Sequence, residues 1–140
     1  MACEMLHIDR KHAQEMVAHA LEEDPNECCG ILAGKDGQVL QVYRMTNVAT
    51  SPYRYDMDPV QQLHVYRELD DKGWETIAVY HSHTHSQAYP SPTDVRLATW
   101  PEERYILISL LNRDDPPIRA FHIDGEKIIE EELSIGEAQG

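Results

Sequence analysis

The chain has 140 residues, with 12 Lys or Arg against 25 Asp or Glu and a formal net charge of −13. This length suits one domain, so we expect any active site to be built on a single core, without a separate cofactor domain. The negative charge repels phosphate backbones and anionic lipid surfaces, which argues against nucleic-acid and membrane partners.

The first ten residues lack the apolar stretch of a secretory signal, and no segment approaches the ~18 to 20 apolar residues of a membrane-spanning helix. Cys3, Cys28 and Cys29 cannot form an evenly paired disulfide framework, and adjacent cysteines rarely bridge each other. We therefore expect a soluble cytoplasmic protein in a reducing compartment.

The first elements in chain order are a helix and a hairpin. Asp9 is a candidate N-cap for a helix that runs to about Asp24, since apolar residues recur at helical spacing between them. Residues 28–33 and 39–43 are largely apolar and are separated by a segment that ends in Asp36-Gly37. This pattern predicts the first two strands, joined by a tight turn.

A second helix is predicted after an extended segment at residues 53–57. Asp58 would cap it, Pro59 would stand in its first turn, and Gly73 would end it. Residues 76–80 then form a β-rich run that leads directly into a group of histidines.

The last part of the chain predicts a short helix and three strands. The predicted ranges are 91–100 for the helix and 105–111, 118–123 and 127–133 for the strands. Strands interleaved with helices indicate the α/β class, a mixed β-sheet flanked by helices. We expect one domain over residues 1–135 and a disordered tail over 136–140.

The informative motif is His81-Ser82-His83, followed after a loop by Asp94. Residues two apart on a strand point the same way, so His81 and His83 can present two imidazoles to one point. Two imidazoles and one carboxylate leave zinc an open fourth position for water, as catalytic sites require. The motif therefore predicts a metal site.

Two other interpretations of these residues stay open. Ser91-Pro92-Thr93-Asp94 is by itself a good helix start, with serine as the cap and an acid three residues later. A histidine cluster can also be a surface patch. His85 allows a second register, but that register puts Arg96 in the ligand position, and a protonated guanidinium cannot bind a cation.

These residues resemble the JAMM (MPN+) metallopeptidases, whose signature is a distant glutamate followed by H-x-H-x7-S-x2-D. The signature falls on His81, His83, Ser91 and Asp94 with the correct spacing. Residues 25–34 are similar to the family's P-x-E-x-C-G-x-L-x-G element. The resemblance implies a JAB/MPN-like fold, zinc held by the two histidines and the aspartate, Glu27 as general base, and Ser91 as a hydrogen-bond donor to the oxyanion.

The resemblance is closer to the Mec branch of that family, the CysO-cysteine peptidases. It covers residues 51–59, 66–71, 80–84 and 88–95. It implies a peptidase that frees cysteine after the C-terminal Gly-Gly of a small ubiquitin-like sulfur-carrier protein. His85 departs from the residue typical of the branch.

Two alternative functions remain. An isopeptidase that removes ubiquitin-like proteins from lysine ranks lower, because the short chain leaves little room for the insertions with which larger relatives grip two folded proteins. A non-catalytic scaffold of the same fold is also open, although every metal-site position is kept.

Several residues have plainer interpretations beside the functional one. Glu27 taken alone resembles a solvated strand edge, and Glu22 and Glu23 are rivals for its role. Cys28 and Cys29 are predicted to be buried, although a zinc site that uses them with His81 is a weaker alternative. The aromatic residues are predicted to form core or groove wall. These aromatic residues are Tyr53, Tyr55, Trp74 and Trp100.

Overall fold

A computed structural model of the chain describes residues 5–98 and 101–137. The helices in this part are α1 Arg10–Glu23, α2 Pro59–Lys72 and α3 Pro92–Leu97. The strands are β1 Leu6–Asp9, β2 Cys29–Lys35, β3 Gln38–Met45, β4 Glu75–His83, β5 Tyr105–Ser109, β6 Ile118–Asp124, β7 Lys127–Glu131 and β8 Leu133–Gly136.

Six strands form one mixed sheet in the order β3-β2-β4-β5-β6-β7. The central strand β4 is antiparallel to β2 and parallel to β5, with His81 opposite Cys29 on one side and Leu107 on the other. Parallel neighbours need a crossover connection, and here the crossover carries α3. The carboxyl end of β4 therefore lies beside the start of β2.

The two long helices cover opposite faces of this sheet. Met16 and Ala20 of α1 belong to the core that contains Tyr80. Leu69 of α2 belongs to the core that contains Cys29 on the other face. The predicted mixed sheet flanked by helices is confirmed.

The start and stop signals of α2 act as predicted, whereas Asp9 precedes α1 without a side-chain capping hydrogen bond. The Asp58 side chain accepts hydrogen bonds from the backbone N–H groups of Val60 and Gln61, Pro59 is the first residue of α2, and Gly73 ends the helix in the left-handed conformation at φ 70°. None of the helices in the two described ranges is long and apolar enough to cross a membrane.

The structure differs from the predictions near the two ends of the chain. Strand β1 was not predicted, and residues 127–133 form part of two strands rather than one, because β8 leaves the main sheet and pairs in parallel with β1. Strand β8 includes Gly136, one residue beyond the predicted domain limit. Helix α3 ends at Leu97, and Trp100 lies outside the described residues.

Candidate metal centre

Side chains from two segments converge at the carboxyl end of β4. His81 Nε2 lies 3.1 Å from Asp94 Oδ1, and His83 Nε2 lies 2.9 Å from Asp94 Oδ2. The metal-binding atoms of these three residues all lie within 4.8 Å of one another. The side chains that the sequence predicted to share one point are therefore adjacent, and they are almost entirely shielded from solvent.

A backbone carbonyl fixes the tautomer of His83. Its Nδ1 lies 2.8 Å from the carbonyl oxygen of Gln87, which can only accept a hydrogen bond, so Nδ1 carries the proton. In the neutral imidazole, Nε2 then carries the lone pair that a metal would take. Burial by itself would lower the pKa of His83, but the hydrogen bonds with Asp94 and with the Gln87 carbonyl outweigh it and raise the pKa.

His81 is held by packing rather than by hydrogen bonds. It is 2% exposed, and neither of its ring nitrogens has a hydrogen-bond partner among the described residues, because the approach to Asp94 lacks hydrogen-bond geometry. Its ring lies against the Tyr55 ring at 4.5 Å between centroids, with an angle of 31° between the planes. Burial lowers the pKa of His81, which favours the neutral form that binds metals.

Asp94 serves the helix start and the histidines together. Ser91 caps α3 by accepting a hydrogen bond from the Asp94 N–H, and Asp94 Oδ2 accepts one from the Ser91 N–H at 2.9 Å. Burial would raise the pKa of Asp94, but the two imidazoles and this N–H outweigh it and lower the pKa, so the carboxylate is ionised. The capping interpretation and the metal interpretation are both compatible with this geometry.

These residues fit a zinc ion. Tetrahedral zinc with bonds of ~2.0 to 2.1 Å to nitrogen and oxygen separates neighbouring ligand atoms by about 3.3 Å, close to the two observed separations. His81 Nε2 is buried without a hydrogen-bond partner among the described residues, which is costly unless something binds it, and a metal ion would supply that partner. Two nitrogens and one carboxylate oxygen also match the borderline character of zinc.

Glu27 is buried beside this cluster rather than solvated. It is 3% exposed, and its Oε1 has no hydrogen-bond partner among the described residues. Burial raises the pKa of its carboxyl to about 8, while the charge on His83 lowers it and the charge on Asp94 raises it, so Glu27 lies close enough to feel both ligands. The rivals Glu22 and Glu23 are exposed on α1.

Ser82, between the two histidines, links their strand to Cys28, the residue after Glu27, and we did not predict this from the sequence. Ser82 points to the opposite face of β4 from His81 and His83, where its Oγ accepts a hydrogen bond from the Cys28 N–H at 2.8 Å. Its own N–H donates to the Cys28 carbonyl at 3.2 Å. The available signal was a polar residue at an inward-facing position of a buried strand.

The remaining candidates from the sequence are two cysteines and three aromatic residues. Cys28 and Cys29 are buried, and burial raises the pKa of each thiol to about 12, which disfavours a nucleophilic thiolate. Neither belongs to the group of possible metal donors found among the described residues. Tyr55 lines a cleft next to the cluster and Trp74 packs on the core, as predicted. Tyr53 is 72% exposed, so its predicted place in the core or groove wall is wrong.

Comparisons with known proteins show the family of this chain. The family described as prokaryotic homologs of the JAB domain matches residues 9–124. The CysO-cysteine peptidase of Mycobacterium tuberculosis is 40% identical over 124 residues, which is 87% of this chain and 85% of that protein. A probable TtuB-protein conjugate cleaving protease of Thermus thermophilus is 37% identical over 97 residues, covering 69% and 65% of the two chains.

Solved structures show the same fold. The solution structure of protein DSY2949 from Desulfitobacterium hafniense superposes with a TM-score of 0.87 at 36% identity, covering 96% of this chain and 94% of the other. A structure reported as "JAMM: A Metalloprotease-like Zinc Site in the Proteasome and Signalosome" superposes with a TM-score of 0.60 at 18% identity, covering 94% and 98%. The chain belongs to the prokaryotic homologs of the JAB domain, which confirms the predicted JAMM resemblance.

Proposed function

We propose that this chain is a zinc-dependent peptidase that hydrolyses the amide bond after the C-terminal Gly-Gly of a small ubiquitin-like sulfur-carrier protein and releases cysteine. The observation that carries the proposal is the convergence of His81, His83 and Asp94 within 4.8 Å, with buried Glu27 beside them. One relative is named a CysO-cysteine peptidase, and another is named a probable TtuB-protein conjugate cleaving protease.

His81, His83 and Asp94 would hold the metal. When bound, zinc would lower the pKa of a water molecule toward ~7 and polarise the carbonyl to be cleaved. The ionised Asp94 and neutral His81 are already in the forms that bind a cation. The Gln87 carbonyl accepts a hydrogen bond from Nδ1–H of His83, so in the neutral imidazole Nε2 is the nitrogen that would bind the metal.

Glu27 would move the proton. Its carboxylate would accept a proton from the attacking water and deliver it to the nitrogen of the departing amine. A pKa close to neutrality, raised by burial, suits a group that must both accept and donate. Ser91 uses an oxygen lone pair to cap α3, which leaves its hydroxyl hydrogen for the developing oxyanion, a contribution typically of ~3 kcal/mol.

The test uses a carrier protein bearing C-terminal Gly-Gly-Cys, read by intact mass. Loss of one cysteine residue that stops on chelation supports the proposal. Glu27→Gln should keep about one zinc per chain, as three ligands plus water predict, yet lose about 10²- to 10⁴-fold in turnover. Glu75→Gln is the matched control, since Glu75 is exposed at the other end of β4. Normal turnover in Glu27→Gln would contradict the mechanism.

The same assay separates the alternatives. The name of the Thermus thermophilus relative favours a lysine-linked substrate as the second candidate, so a carrier joined to a lysine side chain is tested in parallel. Cleavage of that conjugate alone would indicate an isopeptidase. A chain that binds no zinc even after reconstitution, and cleaves neither substrate, would indicate a scaffold.

A further inference from the structure

A cleft of about 280 Å³ opens directly beside the metal ligands. His81 and Asp94 line it at one side, and Leu107 and Ile123 of the sheet provide an apolar lining. Arg54 and Asp56 line it from the extended segment before α2. The cleft is therefore a small, partly apolar space next to the metal ligands, and the Arg54 side chain forms part of its wall.

Arg54 is the only Lys or Arg among the described residues that line this cleft. It has neither an ion pair nor a side-chain hydrogen bond with any residue in the described ranges, although acidic residues outnumber basic ones by 25 to 12. Other arginines do pair with carboxylates: Arg44, Arg104, Arg113 and Arg119. Arg54 is thus available to an anion from outside the chain.

Asn47 ties the backbone of Arg54 to that of the proposed base. Its Nδ2 donates to the carbonyl oxygen of Glu27 at 3.0 Å and to that of Arg54 at 3.1 Å. Its Oδ1 accepts from the Asp56 N–H at 2.9 Å. The Glu27 N–H also donates to the Ser51 carbonyl at 2.9 Å. Asn47 and this backbone bond together fix the spacing between Glu27 and the segment that carries Arg54, which would hold a substrate-binding side chain in place.

We propose that Arg54 forms a subsite for the free carboxylate of the leaving amino acid, so that the site selects a substrate whose last residue ends at the cleaved bond. This inference rests on the proposed function. A guanidinium binds a carboxylate through two parallel hydrogen bonds. Asp56 lines the same cleft and would repel the carboxylate, and the positive charge of Arg54 would offset that repulsion.

This subsite distinguishes the two candidate substrates. In a C-terminal cysteine, the carboxylate is attached to the carbon that bears the cleaved nitrogen, so it must enter the cleft with the reacting bond. In a lysine side-chain amide, the corresponding carbon is a plain methylene, and nothing there matches a guanidinium. Arg54 therefore favours release of a terminal amino acid over cleavage of an isopeptide bond.

The experiment compares carriers that end in Gly-Gly-Cys and in its C-terminal amide. We expect the wild type to prefer the free acid in kcat/KM, and Arg54→Gln to reduce the acid-to-amide ratio by about 10- to 100-fold, the range for a hydrogen bond to a charged group. Arg54→Lys should keep part of the preference. Arg96→Gln is the control, since Arg96 lies on α3 but lines a different groove.

A binding measurement makes the test independent of turnover. In the Glu27→Gln background, calorimetry with the Gly-Gly-Cys carrier should show weaker binding when Arg54→Gln is added, and the amide carrier should show no such loss. An Arg54→Gln protein that keeps the full acid preference would overturn the inference and leave the proposed function standing. A wild type that cleaves only the lysine conjugate would overturn both.

Discussion

We predict that position 30 must be glycine, because the Tyr80 side chain leaves no room for a larger residue. The two residues are direct partners across β2 and β4. A Cβ at position 30 would lie 2.2 to 2.4 Å from two ring carbons and the hydroxyl oxygen of Tyr80, well inside van der Waals contact. Gly30→Ala therefore forces this ring to move.

The ring has little freedom to move. Tyr80 is fully buried, and its hydroxyl is 2.7 Å from His19 Nδ1 on α1. Overpacking of a core typically costs ~1 to 3 kcal/mol, and loss of a buried hydrogen bond costs ~1 kcal/mol more. We expect Gly30→Ala to lower the free energy of unfolding by about 2 to 4 kcal/mol, a large part of the ~5 to 15 kcal/mol of a typical domain.

Urea denaturation followed by circular dichroism, with chelator present, measures this loss. At a slope of ~2 kcal/mol per molar, the midpoint should fall by about 1 to 2 M. Tyr80→Phe, which loses only the hydroxyl, should cost ~1 kcal/mol. In a Tyr80→Leu background the added alanine should cost less than about 1 kcal/mol, because the ring is gone. An equal cost in both backgrounds would refute the clash as the cause.

Two further predictions concern the metal centre. Tyr55→Leu should weaken zinc binding about 10- to 100-fold, measured in competition with a chromophoric chelator, because the Tyr55 ring orients His81. Tyr55→Phe keeps the ring and should bind zinc normally. An equal loss in both variants would assign the effect to the hydroxyl. The second prediction concerns pH, with the metal removed by chelator. Burial raises the pKa of Glu27 to about 8 in the folded protein, whereas in the unfolded chain it is near 4.5. The folded state therefore binds more protons between these pH values, and the free energy of unfolding should fall as pH rises from about 4.5 to about 8. Glu27→Gln should remove that decline, and parallel unfolding profiles would contradict it.

Predictions from local signals agree well with the structure. Asp58, Pro59 and Gly73 mark the start and end of α2 through their own backbone preferences and side-chain hydrogen bonds. Gly37 takes positive φ in the turn between β2 and β3, as the Asp36-Gly37 pair predicted, and Gly125 does the same in the turn between β6 and β7. Such features depend on neighbours within a few residues, and a sequence contains all of that information.

Features that depend on distant partners were missed. Strand β1 has only four residues, and Leu6 gains its place by pairing with Leu133 near the other end of the chain. Tyr53 and Tyr55 look alike in sequence, yet one is exposed and the other lies against His81. Residues two apart on a strand would share a side, but residues 52–53 form a bend and 54–56 belong to no strand, so alternation does not predict their exposure.

The sequence alone determined the set of candidate metal donors, because the strand period aligns His81 with His83 and a helix start holds Asp94. Tertiary structure decided the rest of the centre. The burial that raises the pKa of Glu27, and the cleft that Arg54 lines, arise only when segments far apart in the chain pack together. Burial and electrostatic environment are properties of that packing, so no local pattern specifies them.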